Sequence, residues 1–464
     1  MTSETRSDET GQPKTEAVSG SGPSRGSQPV SGTYRAWVLF ILVVVYTFNF
    51  IDRQIVGILA VPIKSELGLS DTQLSLMGGL AFALFYTFLG IPIAMLADRK
   101  NRVWIMTIAL SVWSAMTALC GLAQNFSQLF LARLGVGVGE AGGVAPAYSL
   151  IADYFPPEQR ARALSIYSFG IPVGSALGIL LGGVLTSYLG WRSAFFIVGL
   201  AGLAIAPLFR ATMREPVRGG LDGAKAAAAA APALKDVVGI LIRKPSFWGL
   251  SFGAASSSMM GYGLIFWLPS FFVRSYGEAL PVFFSWMPDA LVPANPTPVL
   301  FASYFYATIL LIGGTAGIWA GGAMADKYGP GRKSAYALLP AAAFVLTLPF
   351  FLVGVTSQSL LVAFFAFVIL QALSLVWLGP VLSAFQHLVV PGMRATASAI
   401  FLFINNLIGI GIGNLAIGLI SDVLSERYGD DSLRYAILCG SIFYVIAAAL
   451  FIFTSRKLAD DWEH

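Results

Sequence analysis

GAMADKYGPGRK, Gly322 to Lys333, closes one long apolar run and opens the way to another, and AMLADRKNR, Ala94 to Arg102, does the same in the first half of the chain. Each stretch sets an acid at the end of a helix and basic residues across a tight turn. The same punctuation at equivalent places in two halves is the mark of an internally repeated fold.

Working outward, the apolar runs are membrane spans. The 464 residues are 56% hydrophobic and 11% charged, with a mean hydropathy of +0.74, whereas a water-soluble chain carries roughly a quarter charged residues. A helix needs about 20 apolar residues to cross the hydrocarbon core. Twelve such spans are expected, near 36–61, 72–97, 103–123, 127–153, 162–188, 192–210, 247–273, 299–325, 334–355, 360–388, 395–422 and 433–454. The predicted fold is an all-α integral membrane protein of two six-helix halves. Its parts are a disordered cytoplasmic tail 1–33, a bundle 34–210, a linker 211–246 holding an alanine run, a bundle 247–455 and a tail 456–464.

The net charge of +5 does not imply nucleic acid, because the basic residues fall in loops, where they set topology. With the termini and alternate loops cytoplasmic, 22 of the 29 basic residues lie inside, while Lys64, Arg192, Arg274, Arg427 and Arg434 lie outside. Arg53 and Arg133 then fall within spans. Both termini are therefore expected in the cytoplasm, with the chain in a plasma or bacterial inner membrane. Cys120 and Cys439 sit in separate apolar runs and are expected as buried free thiols. The stretch 277–298, rich in Pro and aromatics, reads as an interfacial loop near a cavity mouth or a lipid-surface anchor.

Charges inside spans are costly and carry tasks. YTFNFIDRQIVGILA, Tyr46 to Ala60, puts Asp52 and Arg53 inside span one, and LFLARLGVGVGEAGG, Leu129 to Gly143, puts Arg133 and Glu140 on one face of span four, two turns apart. By helical rise Asp52 lies between them in height, so the four residues form one compensated cluster if the two spans face one cavity. Adjacent helix residues point about 100° apart, which leaves the direction of Arg53 open between the cluster, another helix and the outer gate. Span five repeats Gly170, Gly174, Gly178 and Gly182 beside Pro172, a face for tight helix packing.

The two loop stretches resemble the signature loop of the major facilitator superfamily. The second copy matches at Gly322, Asp326, Lys327 and Gly329, with Arg332 and Lys333 displaced by an insertion; the first departs at Ala94 and Asn101. Span four resembles the same family's fourth-helix motif, and span five its glycine-rich antiporter helix without the usual Gly-Pro order. NFIDRQIVG, RLGVGVGEAGGVAPAYSLIADYFPPEQRARA, GWRSAFFIVG and RATASAIFLFINNLIGIGIGNLAIGLISD together resemble the Spinster branch, whose members move sphingosine phosphate or lysophospholipids.

That resemblance implies a proton-coupled secondary transporter for an anionic amphiphilic lipid, working by alternating access. The expected proton carriers are Asp52 and Glu140, because burial favours a neutral carboxyl and a nearby guanidinium a charged one. Arg53 and Arg133 are expected to bind the headgroup, joined by Asn49, Tyr148, Tyr262, Trp267, Tyr304, Trp377, Phe401 and Asn405. Asp98, Arg99, Arg102, Asp326, Lys327 and Arg332 are the expected inner-gate motif. His387, near the inner end of span ten, reads as structural. Protons, the lipid substrate and membrane lipids are the expected partners of a monomer, with no cofactor beyond the proton gradient and no metal. A proton-driven multidrug antiporter and an organic-anion or sugar-acid symporter are the alternatives; no nucleophile-base pair or phosphate-binding Gly-Lys motif points to an enzyme.

Overall fold

The structure is a computed structural model and describes residues 31–217, 234–288, 292, 296–329, 331–389 and 394–462. The alanine run of the linker and nearly all of the N-terminal tail lie outside these residues. Among the described residues, eight helical stretches are long and apolar enough to cross a membrane.

The first half runs α1 (Gly32–Leu67), α2 (Asp71–Ala97), α3 (Arg102–Cys120) and α4, which comes in two pieces, Phe126–Glu140 and Val144–Tyr154. The helix Gly170–Thr212 then holds Gly190 at φ 82°, ψ 162°, outside helical geometry. Only glycine takes that conformation without strain. It divides α5 (170–189) from α6 (191–212), so spans five and six meet at one residue rather than in a loop.

The second half is α7 (Pro245–Tyr276), α8 (Pro298–Ala325), α9 (Ala335–Thr356), α10 (Leu360–Phe385), α11 (Arg394–Tyr428) and α12, in the pieces Ser432–Gly440 and Ile442–Lys457. Twelve helical passes follow, six to each side of the linker. α1 outruns its expected end at 61, carrying Pro62 within it, and stops at Gly68, whose φ of 64° gives the left-handed cap.

The repetition reaches finer detail than the loops. The second helix of each half contains one π-helical turn, Leu76–Leu80 in α2 and Leu310–Gly314 in α8, and each turn holds a Gly pair. A Cβ on Gly79 would stand 2.9 Å from the Ile410 carbonyl oxygen of α11, and one on Gly313 would stand 2.6 Å from that of Val368 in α10. The wider turn and missing side chains let a neighbouring backbone come close.

The glycine face of α5 packs on α1. A Cβ at Gly174 would lie 2.5 Å from the Thr47 carbonyl oxygen, and one at Gly178 would lie 2.8 Å from Ile51 Cα. In lipid no hydrophobic gain draws helices together, so close packing of this kind holds them. It also fixes the rotation of α1, and hence the direction of Asp52.

One expectation is corrected. Cys120 is buried, but Cys439 is exposed; both are free thiols. The stretch after α7 forms a short helix, Ala279–Phe283, and Phe283, Phe284, Trp286 and Met287 line an apolar groove of about 880 Å³ with α5, α8 and α10. His387 stacks on Trp462 at 4.5 Å, at the end of the C-terminal bundle that carries the chain terminus.

Candidate functional site

The stretch GVGVGEAGG decides where α4 sits. A Cβ on Gly137 would meet the Phe82 carbonyl oxygen of α2 at 3.0 Å, and one on Gly139 the Trp113 amide nitrogen of α3 at 2.5 Å. With α4 drawn against both neighbours, Arg133 and Glu140 are enclosed, at 1% and 0% exposure. The helix breaks directly after Glu140, across 141–143.

α1 runs past this face in the opposite direction, and the four charges pair crosswise. Arg53 Nε donates to Glu140 Oε2 at 2.7 Å. Arg133 Nη1 lies 3.7 Å from Asp52 Oδ1 and 3.5 Å from the Asp52 carbonyl oxygen. The second pair is looser than the first, and Asp52, 2% exposed, takes its short hydrogen bonds elsewhere. Thr117 of α3 places its hydroxyl oxygen 2.6 Å from both Oδ1 and Oδ2.

Arg53 was the residue whose direction the sequence left open, and the structure turns it into the cluster. Its side chain reaches Glu140 while its guanidinium passes over the rings of Phe50, Phe82 and Tyr86 at 5.1, 4.8 and 4.6 Å. The 100° between neighbours on α1 is what lets Asp52 and Arg53 serve two different partners.

Both arginines line a cavity of about 40 Å³ with Gln54, Tyr262, Phe266 and Asn414, so the second half contributes to it through α7 and α11. Arg133 Nε and Asn414 Oδ1 are buried there without a hydrogen-bond partner among the described residues. A buried guanidinium N–H left unpaired is an open position for an anion.

Other expected residues are placed elsewhere. Asn49 is buried on α1, and Tyr148 is half-exposed, 5.7 Å ring to ring from Tyr167. Trp267 is buried in the second half, donating from Nε1 to the Asn414 carbonyl at 3.2 Å. Asn405 accepts from the Ser258 hydroxyl at 2.8 Å, and Phe401 packs on Phe385 at 4.8 Å. Trp377 is buried at an interruption of α10. Tyr304 faces the apolar groove beside Phe284.

In the loop motif, the side chains of Asp98 and Asp326 lie outside the described part of the structure. Arg99, Lys327 and Arg332 are exposed, and Arg332 Nε donates to the Ser334 hydroxyl at 3.1 Å. Arg102 is instead fully buried within its own half. Its Nε donates to Glu215 Oε1 at 2.7 Å and its Nη1 to the Ser149 hydroxyl at 2.7 Å, with Asp153 beside them. It ties the turn after α2 to α4 and to the chain leaving α6.

A second charged cluster, unread in the sequence, joins the halves at the face opposite the termini. Asp71, the first residue of α2, accepts both Nη atoms of Arg274 from α7, at 2.9 and 2.7 Å, with Lys64 Nζ at 2.6 Å and the Ser421 hydroxyl of α11 at 2.8 Å. Asp422 of α11 returns the bond, accepting the backbone N–H groups of Asp71 and Thr72 at 3.0 and 2.8 Å and the Thr72 hydroxyl at 2.5 Å. An acid from one half thus caps a helix N-terminus of the other. The available signal was that Lys64, Asp71 and Arg274 all stand at the ends of spans on one face; from the sequence alone the two basic residues read only as topology markers and Asp71 has no role.

Comparison with known proteins agrees with this architecture. Residues 42–414 match the family model described as Major Facilitator Superfamily. An MFS-type efflux pump of Mycolicibacterium smegmatis is 32% identical over 431 residues, covering 90% of this chain and 94% of that protein. Protein spinster homolog 1 of Xenopus tropicalis is 29% identical, covering 92% of this chain and 83% of the relative. The crystal structure of a bacterial homolog to the human lysosomal transporter Spinster, in an inward-facing and unoccupied conformation, superposes with a TM-score of 0.81 at 32% identity, covering 94% of this chain and all of that one. The twelve-helix fold, the cross-paired cluster between α1 and α4, and these relatives lead to one conclusion: the chain belongs to the Major Facilitator Superfamily, as a transporter of its Spinster branch.

Proposed function

We propose that the protein moves an anionic amphiphile of the lysophospholipid or sphingosine phosphate type, coupled to protons, by alternating access. The observation that carries this reading is the crosswise pairing: each acid on one helix holds an arginine on the other. An acid that takes a proton releases its arginine, and an anionic headgroup that takes the arginine leaves the acid able to hold a proton. Proton and anion therefore bind with positive coupling, and by linkage each raises the affinity for the other to the same degree. Asp52 and Glu140 are the proton carriers, and Arg133, with its unpaired Nε, is the first contact for the headgroup, helped by Arg53.

The apolar groove between α5 and α8 supports an amphiphilic rather than a fully polar cargo. In this reading the face bearing the termini is cytoplasmic, as the distribution of basic residues supports. The test is uptake of labelled lysophosphatidylglycerol into proteoliposomes with and without a pH gradient. Gradient-driven uptake in the wild type, abolished in Asp52→Asn and Glu140→Gln, is the expected result; uptake unchanged in both variants overturns the coupling.

A second reading, proton-driven efflux of drug-like compounds, is favoured by the name of the Mycolicibacterium smegmatis relative. It fits the two acids, but a cationic drug gains nothing from the two arginines. Gradient-driven efflux of a cationic dye that anionic lysolipids fail to inhibit would favour it.

A further inference from the structure

We propose that Thr117 is a positioning residue for proton uptake at Asp52, its hydroxyl serving the carboxylate and the carboxylic acid in turn so that the acid changes state without changing place. The proposal rests on the reading of Asp52 as a proton carrier and adds a third helix, α3, to the coupling machinery.

The geometry is specific. Thr117 Oγ1 stands 2.6 Å from each oxygen of Asp52 and is fully buried. A hydroxyl has one proton to give and two lone pairs to receive with. Facing a carboxylate it donates, shared between the two oxygens. Facing the neutral acid it accepts the new O–H, and because the two oxygens are equidistant either can carry that proton.

The other groups facing Asp52 do not compete for this role. Arg133 of α4 stands 3.7 Å from Oδ1, beyond hydrogen-bond reach, and Arg53 of α1 is engaged by Glu140 of α4. Cys120, one turn beyond Thr117 on α3, is a buried free thiol. Among the described residues, then, the short contacts of the Asp52 carboxyl are those to Thr117, and Arg133 attracts it without locking it. A carboxylate clamped by a bidentate guanidinium would give up its charge much less readily.

The sign of the effect follows from bond strengths. A hydrogen bond to a charged acceptor is roughly twice as strong as a neutral one, so deleting the hydroxyl disfavours the carboxylate more than the acid. Asp52 should then take up its proton at higher pH in Thr117→Val than in the wild type, by about one pH unit, while Thr117→Ser, which keeps the hydroxyl, stays near the wild-type midpoint.

Infrared difference spectroscopy on the purified full-length protein, titrated across the physiological pH range, reads this without needing a substrate. The titrating carboxyl band that disappears in Asp52→Asn belongs to Asp52. A midpoint raised in Thr117→Val and restored in Thr117→Ser is the expected result, and Thr117→Ala provides a second deletion of the hydroxyl should the valine variant misfold. An unchanged midpoint in a folded hydroxyl-deleting variant overturns the role of Thr117 and leaves Asp52 as carrier. Absence of any Asp52 band in the wild type overturns the carrier reading itself, and this proposal with it.

Discussion

At the scale of single residues, the cluster contains two pairs of unequal tightness, and that inequality has consequences. Glu140 holds Arg53 at 2.7 Å, whereas Asp52 has Arg133 at 3.7 Å and two short contacts to Thr117. Glu140→Gln leaves a buried guanidinium without its counter-charge, a change that costs about 3 kcal/mol or more. Asp52→Asn likewise leaves a buried guanidinium, that of Arg133, without its counter-charge, but it breaks a longer pair at 3.7 Å and can keep the Thr117 hydrogen bond, so it costs less. Thermal unfolding in detergent should therefore show the larger loss of Tm in Glu140→Gln; equal losses would contradict the asymmetry. The charges themselves were legible in the sequence, because a charge inside an apolar run stands out. Thr117 was not, since it is one of four hydroxyl residues in span three, with Thr107, Ser111 and Ser114, and nothing marks it until its distance to Asp52 is known.

At the scale of elements, glycines set the packing that aims these side chains. The stripe Gly170, Gly174, Gly178 and Gly182 was readable as a packing face, and its partner proves to be α1. A Cβ at Gly178 would press on the backbone of α1 at Ile51, directly before Asp52. Backbone cannot move aside as a side-chain tip can, so Gly178→Val should separate α1 from α5, lower Tm and abolish transport with Asp52 intact. Gly90, with open space around its Cβ position, serves as the control, and Gly90→Ala should leave Tm within about 0.5 kcal/mol equivalent of wild type. The π-helical turns at Leu76–Leu80 and Leu310–Gly314 were out of reach of the sequence reading. A Gly pair in an apolar span is compatible with an ordinary helix, and only the neighbouring helix that exploits the gap distinguishes the two.

At the scale of the whole molecule, the two halves are fastened to each other at the face opposite the termini by Asp71, Arg274, Ser421 and Asp422. Under the proposed alternating access this fastening opens when the other face closes, so its strength biases the balance between the two states. Arg274→Ala removes both bonds to Asp71 and should shift the population toward the state open on that face. Cysteines introduced at that rim should then react faster with a membrane-impermeant maleimide than in the Arg274 parent; an unchanged rate would show that the cluster is not a latch. The division into six and six helices was visible in the repeated loops and the single long linker, but this cluster was not. It forms between residues some 200 to 350 positions apart in the chain, a separation at which loop charges read only as topology. The central claim is that proton and anion are bound together by the crossed pairs of α1 and α4. It is tested most directly by adding lysophosphatidylglycerol to the purified protein in weakly buffered solution and following bulk pH with an indicator dye. Proton uptake on substrate addition, lost in the Asp52→Asn, Glu140→Gln double variant, is the predicted result, whereas substrate binding with no proton uptake in the wild type would contradict it.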